Sequence, residues 1–320
     1  MITARIIKDW GWPDLMRQTP GQLGRWGDVQ FTTDPVRECD FAIVLNNRMP
    51  VDTRLACPPA HVWAIMQEPY YKGFSDWIIE KHGAFAKVFS HHPATDHDAR
   101  HHRSHPALPW HVNKTYDQLL AATRPAKTKN LSWVIGDAMH LPGHWQRAAF
   151  LDHIRGDPAL DLDLYGRAIH YIEDKWDGLA PYRYSLAIEN TRGPDYWTEK
   201  IADCFLAWTV PIYHGCTNLE DYFPPDSFIR IDISQPAAAL AKIKRILADD
   251  HPEARIPALE EARQRVLNRH QLFPYVSGLI HAQPATGLAK QAVTIPAYRR
   301  SAKAFLNHKL YAARHRLGRL

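Results

Sequence analysis

Three carboxylates, a carboxamide and an amine fall within twelve residues, ENTRGPDYWTEK (189–200), between the apolar run SLAI and the helically spaced run IADCFLAW. Unpaired charges are costly to bury, so this seam reads as a place where something polar is held. Trp197, Ile201, Phe205 and Trp208 share one face of a helix predicted over 198–208, which Asp195 or Thr198 can cap. Lys200 lies in the first turn, where the helix dipole disfavours a cation and favours an anion. A lysine beside free backbone N–H groups makes a diphosphate site; the alternative is a snorkelling lysine paired with Asp203 or Glu199.

The elements that must position this seam are short apolar runs alternating with helical patterns, the mark of an α/β chain with parallel sheets. Strands are predicted in ITARIIKDW, FAIVLN, HVWAIMQE and KVFSHH, then in LSWVIGD, LDLYGR, YSLAIEN, TVPIYHG and FIRIDI. Ligands of open α/β sheets bind outside the carboxyl ends of strands. Those ends carry Gln67 and Glu68, Gly166 and Arg167, Glu189 and Asn190, and His214 and Gly215. Pro211 is awkward for a central strand and suits an edge or a strand's first residues. The polar segment TRPAKTKN places a domain boundary near residue 120.

Several other chemistries find little support. Neither GxGxxG nor GxxxxGK[ST] occurs, which removes the common dinucleotide and P-loop sites. Four cysteines without CxxC spacing suit a reducing compartment. Six histidines fall within 90–105, with His97/His101 and His101/His105 at the i, i+4 spacing that chelates a metal on a helix, but a solvated loop is the stronger expectation and no metal ligand is assigned. Asp161 and Asp163, like Asp96 and Asp98, match a DxD metal-diphosphate pattern that recurs by chance.

The net charge of +5 is concentrated near the end, where residues 298–320 hold seven Lys or Arg and no acid. The charge thus forms a tail, with no basic face for nucleic acid. Leu306, Leu310, Ala313, Leu317 and Leu320 fall on one helical face beside Lys303, Lys309, Arg316 and Arg319, a pattern suited to peripheral contact with an anionic membrane. A solvated tail, or a helix packed back across the amino-terminal half, are the alternatives. With no membrane-spanning run and no secretion signal, the expectation is a cytoplasmic protein, peripheral to the inner face of the membrane if the tail binds there.

The stretch YRYSLAIENTRGPDYWTEKIADCFLAWTVPIYHGCTNLEDYFPPDSFIRIDI closely resembles the donor-binding segment of glycosyltransferase family 10, the α-1,3/4-fucosyltransferases, and the type implied is bacterial. VWAIMQEPYY resembles the family's acceptor-side motif, but lacks its serine between Glu68 and Pro69. The resemblance implies a GT-B fold, two Rossmann-like domains facing across a cleft. The expected boundaries are 1–120 for the acceptor domain, 121–296 for the GDP-fucose domain and 297–320 for the basic tail. It implies Asn190, Tyr196 and Lys200 as diphosphate contacts, Glu199 at the fucose and ribose, Glu189 beside them, and Arg147 as a second cation, with Arg167 its rival. Glu68 aligns with the catalytic base. Implied partners are GDP-fucose and an oligosaccharide, lipopolysaccharide or other glycan acceptor, with no cofactor required. The competing readings are a nucleotide-sugar-binding protein without catalysis and a metal-dependent transferase using Asp161 and Asp163.

Overall fold

The computed structural model describes residues 1–92, 98–249, 251–283 and 287–317. Asp96, His97, Arg319 and Leu320 lie outside the described residues. Contacts divide the chain into two units, Met1–Pro109, Thr115–Asp117 and Gln271–Leu320 in the first, Trp110–Lys114 and Gln118–His270 in the second. The chain therefore returns to its first unit at Gln271, whereas the sequence reading ran the second domain on to residue 296.

The first unit begins with β1 (Ile2–Ile7), β2 (Arg25–Trp26), β3 (Val29–Thr32), β4 (Phe41–Leu45), β5 (Thr53–Cys57), β6 (Val62–Ile65), β7 (Lys87–Ser90) and β8 (His101–Arg103). Among the described residues, seven of these form a sheet in the order β2-β3-β1-β4-β6-β7-β8, parallel except for β2 against β3. Both faces are covered, as parallel sheets require. His101 opens a strand, so the His101/His105 spacing has no helix to act on; its Nε2 lies 2.9 Å from His82 Nδ1 instead.

After α1 (Tyr116–Ala121), the second unit runs through β9 (Lys129–Val134), α2 (Pro142–Ile154), β10 (Leu162–Tyr165), β11 (Tyr182–Ile188), α3 (Glu199–Leu206), β12 (Val210–His214), β13 (Ile229–Arg230), α4 (Pro236–Asp249) and α5 (Ile256–Arg265). Its parallel sheet has the order β10-β9-β11-β12-β13, the rearranged order of a Rossmann-like unit. Leu131, Trp133, Tyr184, Leu186, Ile188 and Ile212 are all buried in it. Of the two places expected for Pro211, the structure shows the strand's first residues: β12 is not an edge strand, and the proline is its second residue, ahead of the pairing with β13 that starts at Ile212.

The chain then adds α6 (Leu272–His281), β14 (Gln291–Ile295) and α7 (Ala302–Arg316) to the first unit. Leu272, Phe273, Val276 and Ile280 of α6 join Ile6, Phe31, Ile43 and Trp63 in one core, which explains the return at Gln271. Ile295 of β14 enters the core on the opposite face with Val44, Ala64 and Val88. Helix α7 docks through Ala304 and Tyr311, both buried, and His308 Nδ1 lies 2.9 Å from Gly73 O. No described helix is long and apolar enough to cross a membrane.

Candidate donor site in the second unit

The seam forms where β11 leaves the sheet and α3 begins. Thr198 caps α3, its Oγ1 accepting from Lys200 N–H at 3.3 Å. Asp195, the other capping candidate, anchors the loop instead. Its N–H donates to Asn218 Oδ1 at 2.7 Å, and its Oδ1 accepts from Asn218 Nδ2 and the Tyr222 hydroxyl, each at 2.8 Å. Trp197, Ile201, Phe205 and Trp208 are buried as their spacing requires.

Lys200 pairs with Glu199, as one reading had it, and with Glu189, which neither reading offered. Its Nζ lies 3.1 Å from Glu199 Oε1, 3.2 Å from Glu189 Oε2 and 3.1 Å from Thr198 Oγ1, so its three N–H groups all have acceptors. Burial favours the neutral amine, but Glu189 and Glu199 outweigh it and raise the ammonium's pKa. Burial also opposes ionisation of Glu199, yet the charges of Lys200, His111 and Lys175 hold its carboxyl below the usual range. Glu189 goes the other way, because burial dominates and raises its pKa.

Asn190 leads from the strand end toward α2. Its Oδ1 accepts from the Tyr196 hydroxyl at 2.9 Å, and its Nδ2 stands 3.3 Å from His144 Nε2. His144 Nδ1 accepts from the N–H groups of His140 and Leu141, at 3.1 and 3.2 Å. Contact between α2 and this loop depends on Gly143, where a Cβ would stand 1.9 Å from Asn190 O. One turn along α2 from Gly143, Arg147 is 6% exposed, and its Nε has no hydrogen-bond partner. Among the described residues Arg147 forms no ion pair, although the charges of Glu189 and Glu199 act on it against the lowering effect of burial. Buried polar groups are usually hydrogen-bonded, so Arg147 keeps a planar set of donors that an anion could take up.

The geometry thus gathers Arg147, Glu189, Asn190, Tyr196, Glu199 and Lys200 in one place. It does not bring in Arg167, which is exposed beyond the edge strand β10. Asp161 and Asp163 lie at the opposite, amino-terminal end of β10, where Asp163 Oδ2 accepts from Lys129 at 2.9 Å and the Tyr182 hydroxyl at 2.6 Å. Among the described residues no group of three or more His, Cys, Asp or Glu is placed to hold a metal. Glu68 is exposed in the first unit, three residues beyond β6, after Gln67 whose N–H donates to Asn46 Oδ1 at 2.8 Å.

A supporting layer under α3 has no sequence signal of its own. Asp203, fully buried, accepts from Lys175 Nζ at 2.7 Å and from His111 N–H at 2.9 Å. Lys175 and His111 both act on Glu199 from this layer. They come from segments 28 and 92 residues away from Asp203, too distant for local spacing to reveal.

Residues 124–255 match the family model described as glycosyltransferase family 10 (fucosyltransferase), C-terminal part. The matched segment falls within the second unit and takes in the whole of the seam. Proteins similar to this chain include the 4-galactosyl-N-acetylglucosaminide 3-alpha-L-fucosyltransferase of Gorilla gorilla gorilla, 33% identical over 132 residues, and the human 3-galactosyl-N-acetylglucosaminide 4-alpha-L-fucosyltransferase, 31% identical over 135. Each match covers 39% of this chain and 35% of the relative, so the chain spans about a third of the curated relatives' length. A solved α1,3-fucosyltransferase structure with GDP aligns with 82% of each chain, at a TM-score of 0.50 and 18% identity. That likeness shows the fold: mixed α/β with parallel sheets, the GT-B type.

Proposed function

We propose that this protein is an inverting fucosyltransferase, moving L-fucose from GDP-fucose to a hydroxyl of a glycan acceptor. The observation that carries the reading is Arg147, a buried cation without an ion pair among the described residues, set in the segment that matches the family 10 model, beside Lys200 and the start of α3. In this reading Arg147, Lys200, Asn190 and Tyr196 hold the diphosphate, and Glu199 and Glu189 face the ribose and fucose. Glu68 takes the proton of the acceptor hydroxyl as its oxygen bonds to the anomeric carbon. The bond from that carbon to the diphosphate breaks, and the electron pair leaves with GDP. The two cations and the α3 N–H groups stabilise the charge on the leaving phosphate. They supply the positive charge that a divalent ion supplies elsewhere, so no cofactor is part of the proposal. A glycan array with labelled GDP-fucose tests the transfer, and the anomeric configuration of a purified product tests inversion. An array without labelled product, alongside normal GDP binding, would favour a binding protein without catalysis.

The acceptor we infer is a bacterial surface glycan such as lipopolysaccharide, reached by a cytoplasmic enzyme at the inner face of the membrane. The support is α7, which docks with Ala304, His308 and Tyr311 and leaves Phe305, Leu306, Leu310 and Leu317 exposed among Lys303, Lys309, Arg314 and Arg316. Docking and an exposed apolar stripe thus coexist on one helix. Full-length protein should pellet with phosphatidylserine vesicles and a chain ending at Pro296 should not; equal pelleting removes the membrane contact.

A further inference from the structure

The loop that carries Asn190 also walls a pocket of about 460 Å³, a volume in the range of small-ligand sites, lying within the second unit at the carboxyl ends of β12 and β13. Its lining includes Arg192, His214, Gly215, Arg230, Asp232 and Lys242. None of these belongs to the diphosphate contacts assigned above. Gly215 is the shared wall, since a Cβ there would stand 2.4 Å from Glu189 Cγ. Glu189 N–H in turn donates to His214 O at 2.8 Å. A ligand in this pocket would lie one backbone thickness from the buried carboxylate of the donor cluster.

The charges in the pocket are not all committed. Arg230 is taken by Glu220, with Nε to Oε1 at 2.7 Å, and by Cys216 O at 2.7 Å. Burial lowers the pKa of His214, and its Nδ1 lies 3.3 Å from Ile231 O. The Asp232 carboxylate accepts from Ser234 at 2.7 Å through the hydroxyl and 3.0 Å through the N–H. Arg192 and Lys242 have no hydrogen bond or ion pair among the described residues. The loop fixes where Arg192 stands, because Thr217 N–H donates to Gly193 O at 3.0 Å and Asp195 is anchored as described. The first turn of the 14-residue helix α4 completes the lining through Ala238 and Ala239, adding a dipole that favours an anion.

We propose that this pocket binds an anionic group, phosphate or carboxylate, carried by the sugar that accepts fucose. The proposal rests on the fucosyltransferase reading and narrows its acceptor to an acidic glycan. Two cations without hydrogen bonds among the described residues and a helix start outnumber one carboxylate, Asp232, which Ser234 already satisfies and on which the charge of Arg192 acts. A neutral sugar would leave Arg192 and Lys242 unused.

The test is calorimetry on the full chain saturated with GDP, titrating N-acetylglucosamine 6-phosphate, glucuronic acid and neutral N-acetylglucosamine in turn. An acidic sugar should bind at least about 10-fold more tightly than the neutral one, the lower end of what hydrogen bonds to charged groups supply. Preference for the sugar phosphate assigns a phosphate and preference for the uronic acid a carboxylate. The double variant Arg192→Gln, Lys242→Gln should lose the preference and keep its GDP affinity. Equal or absent binding of acidic and neutral sugars overturns the proposal, as does a double variant that still prefers the acid. Displacement of the acidic sugar by GDP also overturns it, by making the pocket part of the donor site. If the parent protein fails to bind GDP at all, the fucosyltransferase reading falls and this one with it.

Discussion

The Thr198 hydroxyl lies 2.9 Å from Oε1 and 2.8 Å from Oε2 of Glu189, and the Thr198 N–H donates to Oε1 at 2.9 Å. One residue therefore caps α3 and satisfies a carboxylate whose side chain is fully buried. The end of β11 and the start of α3 are locked together through this pair, and Lys200 is held against both.

Thr198→Val keeps the shape and removes the hydroxyl. The helix loses its cap and Glu189 loses a donor where no water can replace it, a combined cost of about 1–3 kcal/mol. Urea denaturation should show that loss for valine and within about 0.5 kcal/mol of the parent for Thr198→Ser, which retains the group. A valine variant as stable as the parent would mean that the Thr198 N–H and Lys200 suffice to hold Glu189.

Arg147 and Lys200 should not contribute equally to GDP binding. Lys200 must share its three donors with Thr198, Glu189 and Glu199, whereas Arg147 has no carboxylate to leave. Calorimetry should find Arg147→Ala weaker for GDP by about 10- to 100-fold, and Lys200→Ala by less. Unchanged affinity in both variants would put the diphosphate elsewhere. A loss confined to Arg167→Ala would transfer the role to Arg167.

Much of this site was legible before the structure, for identifiable reasons. Strand ends and the α3 face follow from local periodicity, so nine predicted strands appear and Glu189, Asn190 and Lys200 come together beyond the carboxyl end of β11. Short strands such as β2 and β8, of two and three residues, carry too little pattern to be read. The partners of Asp203 depended on chain segments that only folding brings together, and the docking of α6 in the first unit is equally non-local. Lys200 also shows the limit of spacing arguments. Glu199 and Asp203 were both within helical reach, but Asp203 belongs to Lys175 and the second carboxylate comes from the preceding strand.

His144 gives the site a pH dependence with a definite sign. Burial, then the charges of Arg147, His140 and Lys200, push its pKa from 6.5 down to about 4. The unfolded chain therefore takes up a proton between those values that the folded chain refuses, and stability falls as pH drops from 6.5 toward 4. His144→Asn keeps an acceptor for the N–H groups of His140 and Leu141 but does not titrate. Urea midpoints measured across this range should fall less steeply in the variant, the difference being on the order of 1–3 kcal/mol. His270 is also lowered to about 4 by burial, so the parent's fall includes its share and only the difference belongs to His144. Parallel pH profiles for parent and variant would count against a neutral His144 behind Asn190.

Glu68 carries the proposal of catalysis, and its place in the other unit allows a clean test. It lies in the first unit beyond β6, whereas Arg147, Asn190 and Lys200 lie in the second. A change there should leave GDP binding intact. The segment after it is well fixed: Ser75 Oγ donates to Pro69 O at 2.7 Å and Tyr71 N–H donates to Ser75 Oγ at 2.7 Å. Glu68→Gln preserves the side-chain shape on this backbone and removes the capacity to take a proton. A positioned general base typically contributes about 100-fold to 10,000-fold. Transfer of fucose by Glu68→Gln to an acceptor found on the array should therefore be slower by at least about 100-fold, with an unchanged GDP isotherm. Weakened GDP binding would mean that Glu68 supports the donor site. Near-parental transfer would remove Glu68 as the base, and the search would move to another carboxylate of the first unit.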